Sequence, residues 1–481
     1  MVKLMIMKKN TNYSEHFRME VLEEICNMFF NGSLEKEINH LPFNIIPRGS
    51  DNHFRCCVYK ERAILKLRTL AAFGYSVNEI DEALPLTDFL LPEIEKKYKT
   101  NKKLLTVLES ACSACVKSRY MVSEICQGCL SRKCESSCPF GAITISNHKA
   151  HIDQDKCKNC GKCLESCPYN AILKIVVPCE DVCPVNAITK DDKGRANIDH
   201  SLCISCGKCI SVCPFGAIME RRQILDVLRL LKTKKLAALV APAITGQFGV
   251  PIENLVTALK DIGFEYVYEV ALGADITAKK EASEFKEKVI DEKQEFMTTS
   301  CCHAYMRLIK KHLPKLKKFV SETLTPMHYT AEIAKKEHPD CLTVFIGPCL
   351  SKRKEAQEDG LINYVLTFQE LKAMISAKDI DLTLCAKTTL SKTPTKYARQ
   401  FAIKGGVAEA VKSYSTIDGN LIKPELITDL DKKNVLRLSA YANGHCQTNL
   451  IEVMACKGGC IGGCNTVNSI KQANEDVIKH S

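Results

Sequence analysis

One six-residue pattern recurs four times in this chain: Cys138-Pro139-Phe140-Gly141-Ala142-Ile143, Cys167-Pro168-Tyr169-Asn170-Ala171-Ile172, Cys183-Pro184-Val185-Asn186-Ala187-Ile188 and Cys213-Pro214-Phe215-Gly216-Ala217-Ile218. Proline after the cysteine stops a helix or strand from running through it, and the short apolar end can cover whatever the cysteine binds. Two of the four close longer runs, Cys157-x2-Cys160-x2-Cys163-x3-Cys167 and Cys203-x2-Cys206-x2-Cys209-x3-Cys213. Three cysteines at that spacing take one iron–sulfur cubane, and the fourth crosses to a neighbouring one. The chain holds 28 cysteines in 481 residues. In a chain this long, with repeated Cys-x-x-Cys pairs, that count points to metal and away from a disulfide framework.

The runs match the bacterial ferredoxin pattern, and sixteen cysteines lie between Cys112 and Cys213. The crossing rule groups Cys126, Cys129 and Cys134 with Cys167. It groups Cys157, Cys160 and Cys163 with Cys138, and Cys203, Cys206 and Cys209 with Cys183. Cys179 and Cys213 remain, and Cys112-x2-Cys115 is the pair that would complete a fourth cubane by count alone. Two other readings stay open: Cys112, Cys115, Cys126 and Cys129 as a zinc site of two Cys-x2-Cys pairs, or unligated thiols. A tandem of 4Fe–4S centres makes an electron wire, since each takes one electron at a strongly negative potential.

From about residue 222 the pattern changes. Residues 236–244 (LAALVAPAI) read as a buried strand, Ile252–Ile262 as a helix, 265–271 as a strand and 342–346 (LTVFI) as another. Strands alternating with helices imply parallel sheets covered on both faces, whose ligands gather at the carboxyl ends of strands. Cys349 falls three residues after one of these runs. Ahead of the cysteine-rich region, residues 15–30 and 61–73 are amphipathic and read as helices.

Three further segments put cysteine beside small residues: Thr299-Ser300-Cys301-Cys302, Gly347-Pro348-Cys349-Leu350-Ser351-Lys352 and Glu452-Val453-Met454-Ala455-Cys456-Lys457-Gly458-Gly459-Cys460. Together they closely resemble the three signature loops of the FeFe hydrogenases, and the resemblance covers about residues 110–481. It implies that Cys302, Cys349, Cys456 and Cys460 bind a catalytic cubane. Cys460 would also bridge to a two-iron subsite carrying carbon monoxide, cyanide and a dithiolate. It also implies that Lys352 hydrogen-bonds a cyanide, that Met454 touches the two-iron subsite, and that Cys301 passes protons. Glu281, Glu284 and Ser321 would form the rest of the proton relay, with Glu355 adding to the polar lining. The segment Lys404-Gly405-Gly406-Val407-Ala408-Glu409-Ala410 resembles one that lies close to the active site. On residues alone, Lys352 would be a solvated lysine, Glu281 and Glu284 surface carboxylates three apart on a helix face, and Met454 a core residue.

Several positions depart from the family pattern. His303 stands where proline is usual, Gly347 where methionine is usual, and Gly462-Gly463-Cys464-Asn465 carries an extra thiol. There is no tryptophan. These departures resemble the second, divergent group of the family. Cys26, Cys56, Cys57, Cys341, Cys385 and Cys446 are expected to be buried free thiols.

The fold expected is a multidomain α+β and α/β chain. Residues 1–105 form a helical region of unknown role, 106–221 a tandem ferredoxin-like domain, and 222–481 a two-lobed α/β domain with parallel sheets. The function the resemblance implies is reversible conversion of hydrogen to protons and electrons, with electrons exchanged through 4Fe–4S clusters with a ferredoxin or similar acidic carrier. Maturation proteins would supply the two-iron subsite. A hydrogen or redox sensor with slow turnover and a hydrogenase-like assembly scaffold are the alternatives. Cys301, Lys352, Glu281, Glu284 and Ser321 argue against the scaffold. The net charge of +11 fits either solvated faces or a docking surface for an acidic carrier. Its densest group is Lys310, Lys311, Lys315, Lys317 and Lys318. No nucleic-acid motif accompanies it. Residues 1–10 hold no signal-peptide stretch and no 18-residue apolar run occurs, so a soluble, cytoplasmic protein is expected.

Overall fold

The apolar runs after residue 222 become two parallel sheets. In the first, the strands lie in the order Tyr266–Glu269, Leu236–Val240, Leu342–Gly347, Tyr364–Thr367, all parallel. In the second, Met297–Thr298 and Pro424–Thr428 flank Leu450–Met454, again parallel. Leu236–Val240 and Leu450–Met454 are buried at every residue, as strands covered on both faces must be. The structure is a computed structural model that describes residues 12–49, 55–99, 102–115 and 119–481. The expectation for residues 1–10 lies outside the described residues.

Two strands are shorter than the sequence implies. The expected strand over 236–244 ends at Val240, because Pro242 has no N–H to give a neighbouring strand. The chain then turns into the short helix Ile244–Phe248. The strand expected over 265–271 ends at Glu269, since Ala271 already begins the helix Ala271–Phe285. Ile252–Ile262 is helical over its full expected span.

The cysteine-rich region is built from short antiparallel pairs: Arg119–Val122 with Ile172–Ile175, Ile143–Ser146 with Lys149–Ile152, and Ile188–Lys190 with Ala196–Ile198. Each hexapeptide repeat makes the same turn. Its fourth residue has a positive φ, at Gly141, Asn170, Asn186 and Gly216 (+58°, +50°, +51°, +57°). Glycine and asparagine are the residues that accept this region at least cost. The turn swings the following alanine back, so that its N–H donates to the cysteine sulfur. Ala142 reaches Cys138 Sγ at 3.4 Å, Ala171 reaches Cys167 at 3.4 Å, Ala187 reaches Cys183 at 3.2 Å and Ala217 reaches Cys213 at 3.4 Å. The Gly/Asn-Ala pair in the repeat is therefore the device that points an amide at each sulfur.

The helical region ahead of it contains Tyr13–Phe30 and Val58–Ala72. Tyr13–Phe30 packs against Phe368–Ala377, so these helices share one apolar core with the four-stranded sheet. Among the described residues no helix is long and apolar enough to cross a membrane.

Candidate active site and cluster sites

All three cysteine loops lie at the carboxyl ends of parallel strands, where α/β sheets gather their ligands. Cys301 and Cys302 follow Met297–Thr298, Cys349 follows Leu342–Gly347, and Cys456 follows Leu450–Met454. Backbone bonds tie the loops together. Thr299 N donates to Ile451 O at 3.0 Å, and Val453 N to Thr299 Oγ1 at 3.3 Å. Ala455 N donates to Cys302 Sγ at 3.4 Å, so the third loop holds the sulfur of the first.

Glycines set how closely these loops approach. A Cβ on Gly459 would lie 2.6 Å from Ala402 O, and Gly459 bridges to Ile403. A Cβ on Gly347 would lie 2.6 Å from the Phe345 ring, which fills the space a larger residue would need. That is the physical reason for glycine at 347.

Cys302, Cys349, Cys456 and Cys460 come together. Burial pushes Cys349 up to about 11, with Cys302 adding to the rise. Cys460 is pushed up to about 12 by burial and by Cys302 and Cys349. Cys456 rises well above the ordinary thiol value by burial, then by Cys349, Cys302 and Cys460. Four thiols gathered in one pocket, with Cys349, Cys456 and Cys460 resisting ionisation, are a donor set that fits a multi-iron cation, which would let them share the pocket as thiolates. Among the described residues no three His, Cys, Asp or Glu side chains converge tightly enough for a single metal ion.

Glu281 is fully buried. Its Oε1 accepts from Ser300 N at 3.0 Å and Ser300 Oγ at 3.3 Å, while Oε2 has no hydrogen-bond partner among the described residues. Burial raises its carboxyl to about 7 against the lowering pull of Ser300. Cys301 rises well above the ordinary thiol range, first by burial and then by the charge of Glu281. One turn on along the same helix, Glu284 Oε2 accepts from Ser321 Oγ at 2.6 Å. Glu284 Oε1 accepts from Lys288 Nζ at 2.8 Å and Glu322 N at 2.9 Å. Burial alone would raise Glu284, but these donors outweigh it and hold its pKa below the ordinary value. The surface placement open to Glu281 on residues alone is therefore corrected: it sits inside, against the first loop.

Lys352 Nζ is paired with both oxygens of Glu355, at 3.0 and 2.7 Å. Burial pulls the ammonium down, but Glu355, Cys349 and Cys301 outweigh it and leave it above its ordinary value. Lys352 is thus not a solvated lysine. Thr325 Oγ1 donates to Glu355 Oε1 at 2.5 Å, and His303 Nδ1 lies 3.6 Å from Glu355 Oε2. Burial lowers His303 to about 4, so its ring is neutral near pH 7. Met454 is buried in the same apolar group as Met297 and Cys301.

Glu452 is the site residue that motif reading missed. It is fully buried, and its carboxylate accepts from Gly405 N at 2.8 Å and Ala408 N at 2.9 Å. Burial raises its pKa despite those amides. This explains the Lys404–Ala410 segment: its glycines bring a helix start close enough to hold that carboxylate. The available signal was a lone acid inside the apolar strand Leu450–Met454.

The accessory cysteines fall into the three groups the crossing rule gives and the fourth reached by count alone. One pocket is lined by Cys126, Cys129, Cys134 and Cys167, a second by Cys138, Cys157, Cys160 and Cys163, and a third by Cys112, Cys115, Cys179 and Cys213. Cys183, Cys203, Cys206 and Cys209 lie within each other's field: burial raises Cys206 to about 12, with Cys203 and Cys183 adding to it. The alternative zinc set is not assembled, because Cys112 and Cys115 line a different pocket from Cys126 and Cys129. Lys311 is not a solvated member of its lysine group, since its Nζ donates to His200 O at 3.1 Å and Cys203 O at 2.8 Å. Of the thiols expected to be buried, Cys26 and Cys341 are; Cys56 is exposed, and Cys57, Cys385 and Cys446 are partly so. Adjacent cysteines just before the Val58–Ala72 helix cannot both turn inward.

Residues 234–464 match the family model described as "Iron only hydrogenase large subunit, C-terminal domain". Residues 175–224 match an LdpA Fe-S cluster-binding domain and 149–172 a 4Fe-4S binding domain. Among curated proteins, iron hydrogenase 1 of Clostridium pasteurianum is 29% identical over 45% of this chain and 46% of its own length. The NADP-reducing hydrogenase subunit HndD of Solidesulfovibrio fructosivorans is 25% identical over 69% of this chain and 62% of its own length. The periplasmic [Fe] hydrogenase large subunit of Nitratidesulfovibrio vulgaris is 27% identical over 66% of this chain and 86% of its own length. The chain thus spans about half to three fifths of the first two relatives.

Proposed function

This chain is an FeFe hydrogenase-like protein with an iron–sulfur domain ahead of its hydrogenase-type domain, and from that premise we propose that it interconverts hydrogen with protons and electrons. The observation that carries the reading is the line of polar groups ending at Cys301, which a scaffold would not need. Ser321 donates to Glu284, Glu281 lies one turn away on the same helix, and Glu281 faces Ser300 and Cys301.

In this reading Cys302, Cys349, Cys456 and Cys460 hold a cubane joined to a two-iron subsite bearing carbon monoxide, cyanide and a dithiolate. The joined cluster supplies the hydrogen-binding and electron-accepting chemistry. Cys301 stays protonated near pH 7 and moves a proton between Glu281 and the pocket. A carboxyl near 7 suits that task, since a group that titrates near the working pH both takes and gives. Lys352, held by Glu355, presents its ammonium to an anionic ligand. Met454 gives the pocket an apolar wall that excludes water.

The sixteen accessory cysteines hold four 4Fe–4S clusters that carry electrons to and from a ferredoxin or similar acidic carrier. Residues 106–221 and 222–481 are the iron–sulfur and hydrogenase-type domains, the described helices before them pack onto the core of the latter, the reducing cytoplasm is the compartment, and maturation proteins supply the two-iron subsite.

Infrared spectra of anaerobically matured protein under argon and then hydrogen test this. Carbon monoxide and cyanide bands that shift under hydrogen are expected. Bands indifferent to hydrogen would move the reading to a slow sensor, and no bands in well-matured protein would move it to a scaffold. Cys301→Ser should abolish turnover, by a factor of about a hundred or more if a proton-transfer group is lost, with iron content unchanged. Loss of iron in that variant would make Cys301 a ligand.

A further inference from the structure

The turn at Gly216 differs from its three counterparts in what covers it. At Gly141 an added Cβ would meet nothing within 4 Å; at Gly216 it would lie 2.3 Å from Ser14 Oγ and 2.8 Å from Arg68 Nη2. The helices Tyr13–Phe30 and Val58–Ala72 therefore sit directly on the last repeat.

That cover is cationic. Arg55 Nη2 donates to Phe215 O at 2.8 Å, and Arg68 Nη2 to Gly216 O at 3.5 Å. Arg18 lies four residues after Ser14, on the same face of its helix. Arg68 is 2% exposed and Arg18 6%. Arg68 Nε and Nη1, Arg18 Nε and Ser14 Oγ have no hydrogen-bond partner among the described residues. Two uncommitted carboxylates reach the field of the three guanidiniums, Glu15 at Arg18 and Glu61 at Arg55 and Arg68, which leaves one positive charge over. Glu61 pairs with Arg55 at 2.5 Å, and Glu220 is committed to Arg222 and Arg353. Burial, then the charges of Arg18 and Arg55, lowers Arg68 to about 9, which still leaves it charged at neutral pH; Glu61 and then Cys213 act in the opposite sense.

Buried positive charge without a counter-ion is costly. The Cys112/Cys115/Cys179/Cys213 pocket begins at the other end of the same turn. Four thiolates around a cubane carry net negative charge, and one more negative charge on reduction. We propose that the N-terminal helical region is an electrostatic regulator of the cluster at Cys112, Cys115, Cys179 and Cys213, with Arg68 and Arg55 raising that cluster's reduction potential through the covered turn at Gly216. This rests on the reading that those four cysteines hold a cubane. A nearby cation stabilises the reduced state more than the oxidised one, and net charge and burial are among the terms that set such potentials.

The test is a redox titration of full-length, anaerobically reconstituted protein followed by electron paramagnetic resonance, with iron content measured in parallel. Arg68→Gln should move one accessory couple to more negative potential and leave the others in place. Arg68→Lys, which keeps the charge, should stay near wild type; a purely structural role would make both variants shift alike. Gly216→Asn tests the same contact from the other side. Its turn accepts asparagine, as Asn170 and Asn186 show at φ of +50° and +51°, but its Cβ displaces Ser14 and Arg68. It should reproduce the Arg68→Gln shift, while Gly141→Asn should shift nothing. Unchanged potentials in Arg68→Gln and Gly216→Asn with full iron content would overturn the inference. If Cys112→Ser leaves iron content at the wild-type value, the four-cysteine reading itself fails and the inference falls with it. If Arg68→Gln loses its clusters altogether, Gly216→Asn decides.

Discussion

Glu281 is the residue whose protonation state the fold controls most directly. Its carboxyl sits near 7 in the folded protein against an ordinary value of 4.5. Between those values the folded state keeps a proton that the unfolded chain has lost. The stability from this group is full below pH 4.5 and falls as pH rises through about 7, by at most about 3 kcal/mol. Glu281→Gln keeps the size and the acceptor oxygen for Ser300 but cannot ionise. Apparent Tm should therefore fall more steeply from pH 5 to pH 7.5 in wild type than in the variant. Parallel curves would show that Glu281 titrates at its ordinary value. At this scale the sequence spoke unevenly. Glu281 and Glu284 share a helix face by spacing alone, but burial of one and partial burial of the other depend on what packs there. Ser321 lies 37 positions from Glu284, so only the resemblance pointed to their meeting. Glu452 gave one weak cue, a charge in an apolar strand. Nothing in Cys56-Cys57 said which thiol would face out.

Among elements, the helix Ala271–Phe285 positions Glu281 and Glu284, and its seat is set by Gly273. A Cβ there would lie 2.0 Å from Pro326 O and 2.6 Å from Thr330 Oγ1. The first is a backbone atom at the start of the helix Pro326–Glu337, so it cannot swing aside. Gly273→Ala should cost about 1–3 kcal/mol, the usual range for overpacking, despite alanine's better helix propensity. A denaturant midpoint unchanged from wild type would show that the two helices have room to part. Three of the four strands of the first sheet were legible because both faces are apolar, with Pro242 and the early start of the 271–285 helix moving two of their ends; Tyr364–Thr367 was not read. Met297–Thr298 could not be read, because two residues carry no period. It is nonetheless the strand that launches Cys301 and Cys302.

Across the whole molecule, one buried ionic group fastens the iron–sulfur region to the sheets. Glu220, at the end of that region, lies 2.8 Å from Arg222 and 3.1 Å from Arg353, while Arg353 also reaches Glu370 at 2.6 Å. Asn465 Nδ2 adds a bond to Glu220 at 3.2 Å. All are almost fully buried. Glu220→Ala leaves two guanidiniums short of a partner and should cost about 3–5 kcal/mol, the range for breaking a buried pair. Thermal unfolding of the matured protein should show it, and a Tm within error of wild type would mean the arginines re-pair. No motif announced this junction. The four partners are spread from 220 to 370, and each reads alone as an ordinary surface charge. The seat of the N-terminal helices was hidden for the same reason: Ser14, Arg18, Arg55 and Arg68 match no pattern, and their meaning depends on a glycine roughly 150 to 200 positions later.

The spread of Cys302, Cys349, Cys456 and Cys460 over three strand ends also sets a timetable. The run from Cys157 to Cys167 leaves the ribosome almost at once, whereas Cys460 emerges about 160 residues after Cys302. At 5–20 residues per second that interval is roughly 10–30 s. For all of it the nascent chain carries the adjacent Cys301-Cys302 thiols without the loops that bury them. Oxidant reaching a growing chain therefore threatens the three-loop thiol pocket well before it threatens the finished fold.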